Sequence, residues 1–227
     1  MHPLLADTPP QARRRVLGVV GACAAVVLAL GIGVLADLDP QVRLDAAVSR
    51  ALYSGDDRSA GLDRLLEVLT APGVVWVRVV VFAPVVVWLV LQRRWRPLAW
   101  VVPAVLLVGP LTLGLKELIG RARPAFEAGG LEYGGLSYPS GHSSGIATLV
   151  TVGLVLAWPR LGPAARRTGM VVGVGLVVLV GLTRMWLGVH FLSDVVGGWA
   201  LGIGWSLGVA LLLGGLPGGP GALEVRR

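Results

Sequence analysis

Residues 138–158 read YPSGHSSGIATLVTVGLVLAW, and this stretch decides the fold of the chain. It opens on small polar residues around His142 and then continues to Trp158 without a single charged side chain. The uncharged part, Ser144–Trp158, predicts a short membrane-spanning helix. A bilayer core is crossed by about 17–25 mainly apolar residues, so the ends of this predicted helix are soft by several residues. A polar segment therefore meets the membrane at one end of this predicted helix.

Further apolar runs on both sides predict a bundle of such helices. The chain has 227 residues, of which 55% are hydrophobic and 15% charged, and its mean hydropathy is +0.76. A soluble domain would carry about 25% charged residues. The six predicted spans are Val16–Ala36, Val74–Leu91, Leu98–Leu115, Ser144–Trp158, Gly169–Thr183 and Val195–Gly214. The fold class expected is an all-α integral membrane six-helix bundle, with one domain over 16–214 and flexible cytoplasmic ends at 1–15 and 215–227.

Arginine placement predicts which way the bundle faces. The first, third, fifth and last segments outside the spans hold eleven arginines against two acids, Asp7 and Glu224. The alternate segments hold eight basic residues against eleven acids. Cytoplasmic segments are enriched in Arg and Lys, so both termini are expected in the cytoplasm. The net charge of +7 does not indicate a nucleic-acid partner, because the arginines form no single stripe or tail.

The first outer segment, residues 37–73, has a mixed character. Asp39-Pro40 is typical of a helix start, and Leu62, Leu65, Leu66 and Leu69 recur at helical spacing. Short amphipathic helices are expected here on the outer membrane surface, packed onto the bundle. A part in admitting a lipid is a second interpretation of the same helices.

Two features near the N-terminus leave alternatives open. Three arginines, an apolar run and Val34-Leu35-Ala36 are similar to a secretory signal with a cleavage site, but the run is longer than the usual 7–15 residues of a signal core. An uncleaved first span is the main interpretation. Cys23 is the single cysteine, so no internal disulfide can form, and a small apolar role in the membrane is expected for it.

Polar residues with catalytic potential occur in three islands, all in predicted outer segments. Lys116, the single lysine, opens the first island, which ends at Arg123-Pro124. The second is Pro139-Ser140-Gly141-His142, and the third runs from Arg184 through His190 to Asp194. Each of these segments adjoins the ends of predicted spans on the same side of the membrane. The three islands can therefore meet in one outer pocket.

The residue types in these islands suit phosphate chemistry. Lys116, Arg123 and Arg184 offer positive charge for a phosphate and its transfer transition state. Ser140 and Gly141 stand at the start of a predicted helix, where free backbone N–H groups bind anions. Asp194 can accept the proton of one His190 ring nitrogen, leaving the other free to attack phosphorus, and His142 can serve as acid and base.

Other interpretations of the same residues exist. Arg121 is expected to be a solvated anchor at a span end. Two histidines and an aspartate are also common zinc ligands, but the neighbouring cations would repel a metal. A transporter or flippase that binds a phosphate lipid without cleaving it would need the cations but not the His190–Asp194 pair.

The three islands together resemble the three-part signature of the type 2 phosphatidic acid phosphatase superfamily. The motifs cover residues 116–194 in matching order and spacing, and Thr183 stands where the family usually has serine before its arginine. The resemblance implies a membrane phosphatase that uses no cofactor and no metal. It implies that His190 forms a phosphohistidine, that Asp194 orients it and that His142 is the acid–base partner. Lys116, Arg123, Ser140, Gly141 and Arg184 would bind the phosphate, with the Thr183 hydroxyl as a further contact.

The expected reaction is hydrolysis of a lipid-linked phosphate or pyrophosphate at the outer face of the cytoplasmic membrane. The expected partners are the lipid phosphate substrate and membrane lipids. The sequence does not distinguish phosphatidic acid, phosphatidylglycerol phosphate and prenyl pyrophosphate as substrates, and it does not indicate an oligomeric state.

Overall fold

The fold is all-helical over the residues that the computed structural model describes, which are 8–55, 58–126 and 134–223. The predicted flexible ends therefore lie partly outside the described residues. Six acids and two arginines of the charge count also lie outside them: Asp7, Asp56, Asp57, Glu127, Glu132, Glu224, Arg226 and Arg227. The helices, numbered in chain order, are α1 (Pro10–Leu35), α2 (Asp39–Leu52), α3 (Ala60–Thr70), α4 (Val75–Leu91), α5 (Trp95–Leu106), α6 (Val108–Ile119), α7 (Gly141–Ala157), α8 (Pro163–Trp186) and α9 (Leu192–Leu212).

The membrane-spanning prediction is confirmed. Within the described ranges, five helical segments are long and apolar enough to cross a membrane, with α5 and α6 counted as one, and a sixth candidate is the pair α3–α4, bent by 45°. The chain is a multi-pass membrane protein. The third span is broken between Leu106 and Val108, where Pro110 lacks an N–H for the Leu106 carbonyl and its ring crowds that carbonyl.

Helices α7 and α9 form the centre of the bundle and pack closely through glycines. A Cβ atom on Gly198 would lie 2.6 Å from the Ser140 carbonyl oxygen, and one on Gly202 would lie 2.4 Å from that of Ser144. Both distances are far below van der Waals contact, so any larger residue would push the helices apart. The start of α7 therefore rests directly on the first turns of α9, which brings the second polar island to the third.

The short amphipathic helices expected over residues 37–73 are present as α2 and α3, and both pack onto the bundle. Leu66 of α3 is buried, and so are Asp45 and Ser49 of α2. A 3₁₀ turn, Ala71–Gly73, follows α3 and lies against the start of α7. A Cβ atom on Gly73 would lie 2.7 Å from the His142 carbonyl oxygen. The turn that follows α3 thus reaches the second polar island.

The predicted boundaries of the flexible ends need correction where the structure describes them. Helix α1 begins at Pro10, inside the predicted segment 1–15, because proline is favourable in the first helical turn and the Gln, Ala and Arg residues after it favour a helix. Residues 215–223 pack against the bundle rather than lying free. Leu216 and Leu223 are buried, and the Trp100 indole N–H donates to the Gly221 carbonyl at 3.1 Å. Burying two leucines and satisfying the tryptophan holds this segment in place.

Candidate active site

The second polar island forms the N-terminus of α7. The helix begins at Gly141, and the buried Ser140 side chain caps it by accepting from the Ser143 N–H at 3.4 Å. The Ser140 N–H in turn donates to the Asp194 carbonyl at 2.9 Å, which fixes this turn to α9. The Ser140 hydroxyl thus caps α7, a role that was not predicted beside phosphate binding. Gly141 and His142 lie in the first turn, where helix N–H groups favour an anion.

His190 and Asp194 meet at the start of α9. His190 precedes the helix, and Asp194 lies in its first turn. The Asp194 Oδ2 atom accepts from the Phe191 N–H at 2.9 Å and lies 3.3 Å from His190 Nδ1. The predicted contact between His190 and Asp194 is present. His190 lies before the helix, so the Asp194 carboxylate reaches back past the helix start instead of meeting a residue one turn away in the same helix.

The neighbours of His190 fix the position of its proton. Arg123 Nη1 lies 3.2 Å from His190 Nε2, and it also donates to the Val189 carbonyl at 2.8 Å. A guanidinium group has no acceptor, so Nε2 must present a lone pair to it. Nδ1 then carries the proton and donates it to Asp194. The ring thus directs a lone pair towards the cations of the site.

Lys116 and Arg184 complete the set of predicted cations. Lys116 Nζ donates to the carbonyls of Leu136 and, at 3.2 Å, of Ser137. Arg184 is buried at the end of α8, and its Nη1 lies 3.5 Å from the Thr70 hydroxyl. The charges of Lys116, Arg123 and Arg184 all act on the His142 ring. The structure therefore brings the cations of the first and third islands close to His142 of the second island.

Burial keeps His190 neutral. The side chain is almost fully enclosed, and this desolvation lowers the pKa of His190 to about 4. Asp194 opposes that shift, whereas Arg184 and Arg123 add to it. Because a nucleophilic imidazole must be unprotonated, the ring is ready to react at neutral pH.

Arg121 is not the solvated anchor that the sequence suggested. Its side chain is only 12% exposed and forms salt bridges at 2.7 Å with both Asp194 and Asp45. It also contacts the ring of Phe191, with its guanidinium carbon 4.0 Å from the ring centroid. Sequence reasoning missed Asp45 altogether. The available signal was an acid on the apolar side of an amphipathic helix, three residues from both Val42 and Val48.

Thr183 has a partner within its own helix. Its side chain is buried in α8, and the hydroxyl donates to the Val180 carbonyl at 2.7 Å. The phosphate contact expected of this hydroxyl stays a prediction. Helical threonines commonly bond to a carbonyl one turn earlier.

The described part of the chain contains no group of three or more His, Cys, Asp or Glu side chains that could hold a metal ion. The carboxylate nearest to the histidines, Asp194, is occupied by His190, Phe191 and Arg121. The donors at the site are therefore mainly cations and N–H groups, which match an oxyanion better than a metal.

Fold and site together define a helical multi-pass membrane protein in which two histidines, an aspartate and several cations lie close together at one end of the bundle. Sequence comparison gives the family. The family model for the PAP2 superfamily matches residues 97–215, just over half of the chain. The chain belongs to the PAP2 superfamily, as its three motifs suggested.

Individual relatives agree with this assignment. The chain is similar to phosphatidylglycerophosphatase B of Bacillus subtilis (strain 168), at 42% identity over 92 residues, which cover 39% of this chain and 44% of that protein. The matched part thus spans less than half the length of this curated relative.

Two solved structures have the same fold. One is the crystal structure of a transmembrane PAP2-type phosphatidylglycerolphosphate phosphatase from Bacillus subtilis, with a TM-score of 0.64 and 26% identity over 84% of this chain and 93% of that one. The other is LpxE of Aquifex aeolicus, with a TM-score of 0.53 and 23% identity over 73% of this chain and 94% of that one. The second likeness concerns the fold alone.

Proposed function

We propose that the protein hydrolyses a lipid-linked phosphate or pyrophosphate through a phosphohistidine formed on His190, without a metal, at the outer face of the membrane. The observation that carries this proposal is the state of His190: it is neutral, its Nδ1 faces Asp194 at 3.3 Å, and its Nε2 faces Arg123 at 3.2 Å. Transport would need the cations but not an oriented nucleophile. Membership of the PAP2 superfamily and the similarity to a phosphatidylglycerophosphatase support the phosphatase class.

The first chemical step transfers the phosphoryl group to the protein. The Nε2 lone pair forms a bond to phosphorus while the bond from phosphorus to the lipid oxygen breaks. A phosphate dianion bound at the site offsets the charges of Lys116, Arg123 and Arg184, so that His142 takes up a proton when the substrate binds. His142 then donates this proton to the leaving oxygen, and the lipid leaves as an alcohol or, from a pyrophosphate, as a monophosphate. Arg123, Lys116 and Arg184 stabilise the charge on the phosphoryl oxygens, and Asp194 stabilises the positively charged ring.

The second step returns His190 to its starting state. His142, now unprotonated, removes a proton from water, and the water oxygen attacks phosphorus as the bond to Nε2 breaks. Inorganic phosphate leaves, and His142 has regained the proton that it donated in the first step. Protons and electrons balance over the two steps, and the protein supplies every group that moves a proton.

The substrate is proposed to be amphiphilic because the site lies at the ends of membrane-spanning helices. An apolar groove of about 450 Å³ runs between α1, α6 and α9 and includes Leu111 and Ala200. Leu111 is five residues before Lys116 and Ala200 is six residues after Asp194, so the groove lies below the site, towards the membrane interior. A lipid could keep its tail there while its phosphate reaches the cations.

The decisive experiment measures phosphate release by purified protein in detergent from phosphatidylglycerol phosphate, phosphatidic acid and a prenyl pyrophosphate. Wild-type protein is expected to release phosphate from at least one of them. His190→Ala should lower kcat by at least about a thousandfold, because the nucleophile is lost. Substantial turnover by that variant would refute the covalent route.

A parallel measurement tests the absence of a metal requirement. Incubation with a chelator should leave kcat unchanged. If kcat instead falls and recovers when a divalent cation is added, the reaction requires a metal. Binding of the lipids by wild-type protein without any release would instead favour the transporter.

A further inference from the structure

The structure places a second carboxylate behind the His190–Asp194 pair, and it comes from a distant part of the chain. Asp45 lies on α2 with a side chain only 2% exposed. Its Oδ2 atom accepts from Arg121 Nη2 at 2.7 Å and from the Ser193 hydroxyl at 2.5 Å, and its Oδ1 atom accepts from the Ser193 N–H at 2.9 Å. Every contact ties α2 to Arg121 or to the residue before Asp194.

Arg121 bridges this carboxylate to the site. Its Nη2 bonds Asp45, while its Nη1 donates to Asp194 Oδ1 at 2.7 Å and to the Ser193 hydroxyl at 2.7 Å. Asp194 therefore uses one oxygen for Arg121 and the other for His190. The rotation of the Asp194 carboxylate depends on Arg121, and the orientation of the guanidinium depends on Asp45.

We infer that Asp45 is a positioning residue for the reaction: through Arg121 it orients Asp194 and sets the charge behind His190. Asp45, Arg121 and Asp194 together carry a net charge of −1, which favours the positively charged ring formed when His190 takes the phosphoryl group. Without Asp45, Arg121 would neutralise Asp194 completely. The inference rests on the proposed function and adds α2 to its machinery.

Because these groups are buried, loss of Asp45 should have a measurable effect on kcat. Removing one partner of a buried ion pair leaves the other uncompensated in a medium where charge interactions are strong. In metal sites, loss of a carboxylate that orients a metal-bound histidine typically lowers metal affinity or activity by about 10- to 100-fold. A comparable effect is expected here, because the geometry is likewise that of a carboxylate acting through another group.

The test is a double-mutant cycle on kcat, with dioctanoyl phosphatidic acid and the best substrate of the lipid panel as probes. Asp45→Asn should lower kcat about tenfold and leave KM within about twofold, because Asp45 does not touch the substrate. Arg121→Gln should also lower kcat. The double variant should be no slower than Arg121→Gln alone, because Asp45 acts through Arg121.

Asp39→Asn is the matched control. It makes the same substitution on the same helix, but the Asp39 side chain is 81% exposed and pairs only with Arg43 among the salt bridges of the described residues. Its kcat should equal that of wild type. Wild-type kcat in Asp45→Asn, or a tenfold further loss when Asp45→Asn is added to Arg121→Gln, would overturn the inference.

Two further measurements test the inference if Asp45→Asn does not fold or if no lipid of the panel is hydrolysed. Arg121→Lys keeps the positive charge but cannot hold two carboxylates on separate nitrogens, so it should lose kcat in the same way even if Asp45→Asn does not fold. Wild-type kcat in Arg121→Lys would contradict the bridge.

Histidine-selective ¹⁵N labelling reads the bridge without any substrate, because the chain has only three histidines. The Nδ1–H proton of His190 should be resolved in wild type and in Asp39→Asn, and broadened by solvent exchange in Asp45→Asn. An unchanged proton signal in Asp45→Asn would reject the bridge even if no lipid is hydrolysed. Absence of hydrolysis by wild-type protein would refute the proposed function alone.

Discussion

His142 is the residue whose proposed role depends most on the substrate. It lies in the first turn of α7, near the cations of the site, and the proposed reaction gives it a proton to donate to the leaving oxygen. A lipid alcohol is a poor leaving group and needs that proton, whereas p-nitrophenolate leaves without one. We expect His142→Ala to lower kcat for a lipid phosphate by about 10²- to 10⁴-fold.

The same variant should form the phosphohistidine from p-nitrophenyl phosphate and then stall, because water activation still requires His142. Stopped-flow absorbance should show a burst of nitrophenolate close to one equivalent, followed by slow turnover. His190→Ala is the control and should give no burst. Equal losses with both leaving groups and no burst would assign His142 a purely structural role.

The titration of His190 is a second prediction at this scale. Burial lowers the pKa of His190 to about 4, against an ordinary value of 6.5, so the unfolded chain binds the proton first as pH falls. The resulting stability is fully present above pH 6.5 and is lost as pH decreases to about 4. ¹⁵N spectra should show a neutral His190 ring at pH 5.5, and a midpoint near 6.5 would contradict its burial.

A matched variant isolates this contribution to stability. His190→Gln removes the titrating group, so its melting temperature should depend less on pH than that of wild type between pH 6.5 and 4. Identical pH dependence of the two proteins would show that other groups determine the acid limit.

The local motifs allowed the reactive residues to be predicted, but not the groups behind them. His190 and Asp194 are four residues apart, and a short-range pattern suffices to pair them. Arg121 pairs with Asp45, which is 76 residues away, and with Asp194, which is 73 residues away. Their pairing depends on how α2 packs against α9, and spacing along the chain carries no information on that.

At the scale of elements, the contact between α7 and α9 sets the distance between the two histidine islands. Gly198→Ala would place a Cβ atom 2.6 Å from the Ser140 carbonyl oxygen and 2.8 Å from the Ser143 Cβ atom. Because both neighbours belong to the packed start of α7, the helices must separate. We expect a loss of about 1–3 kcal/mol in stability and a lower kcat.

Gly175→Ala is the control for this prediction. A Cβ atom on Gly175, in the span α8, would have no neighbour within 4 Å, and alanine favours a helix over glycine. Thermal unfolding in detergent should therefore show a lower melting temperature for Gly198→Ala and an equal or higher one for Gly175→Ala. Equal melting temperatures in all three proteins would show that the glycine contact does not limit the packing.

Hydrophobic periodicity predicted the helices because it reports burial along a single element. The leucines at 62, 65, 66 and 69 indicated α3, and Asp39-Pro40 marked the start of α2. Such patterns do not indicate which other element a helix packs against. The packing of residues 215–223 around Trp100 was missed for this reason, since a Gly- and Pro-rich segment has no periodicity and its burial depends on an indole over a hundred residues away.

For the whole molecule, the arrangement of charge gives the proposed orientation in the membrane. The three polar islands meet at one end of the bundle, while the arginine-rich segments connect the opposite ends of the spans. The motif cations Lys116, Arg123 and Arg184 count against this orientation in the charge balance, yet the balance still favours it. In the proposed orientation, a lipid phosphate would be hydrolysed outside the cytoplasm.

Cysteine accessibility tests this orientation directly. In a Cys23→Ser background, which removes the single native thiol, Asp39→Cys places a thiol on the exposed start of α2 and Arg167→Cys places one on the exposed first part of α8. A membrane-impermeant maleimide added to intact spheroplasts should label Asp39→Cys only, and Arg167→Cys should become labelled after permeabilisation. The reverse pattern would put the site on the cytoplasmic face, where a substrate made inside the cell would reach it without crossing the bilayer.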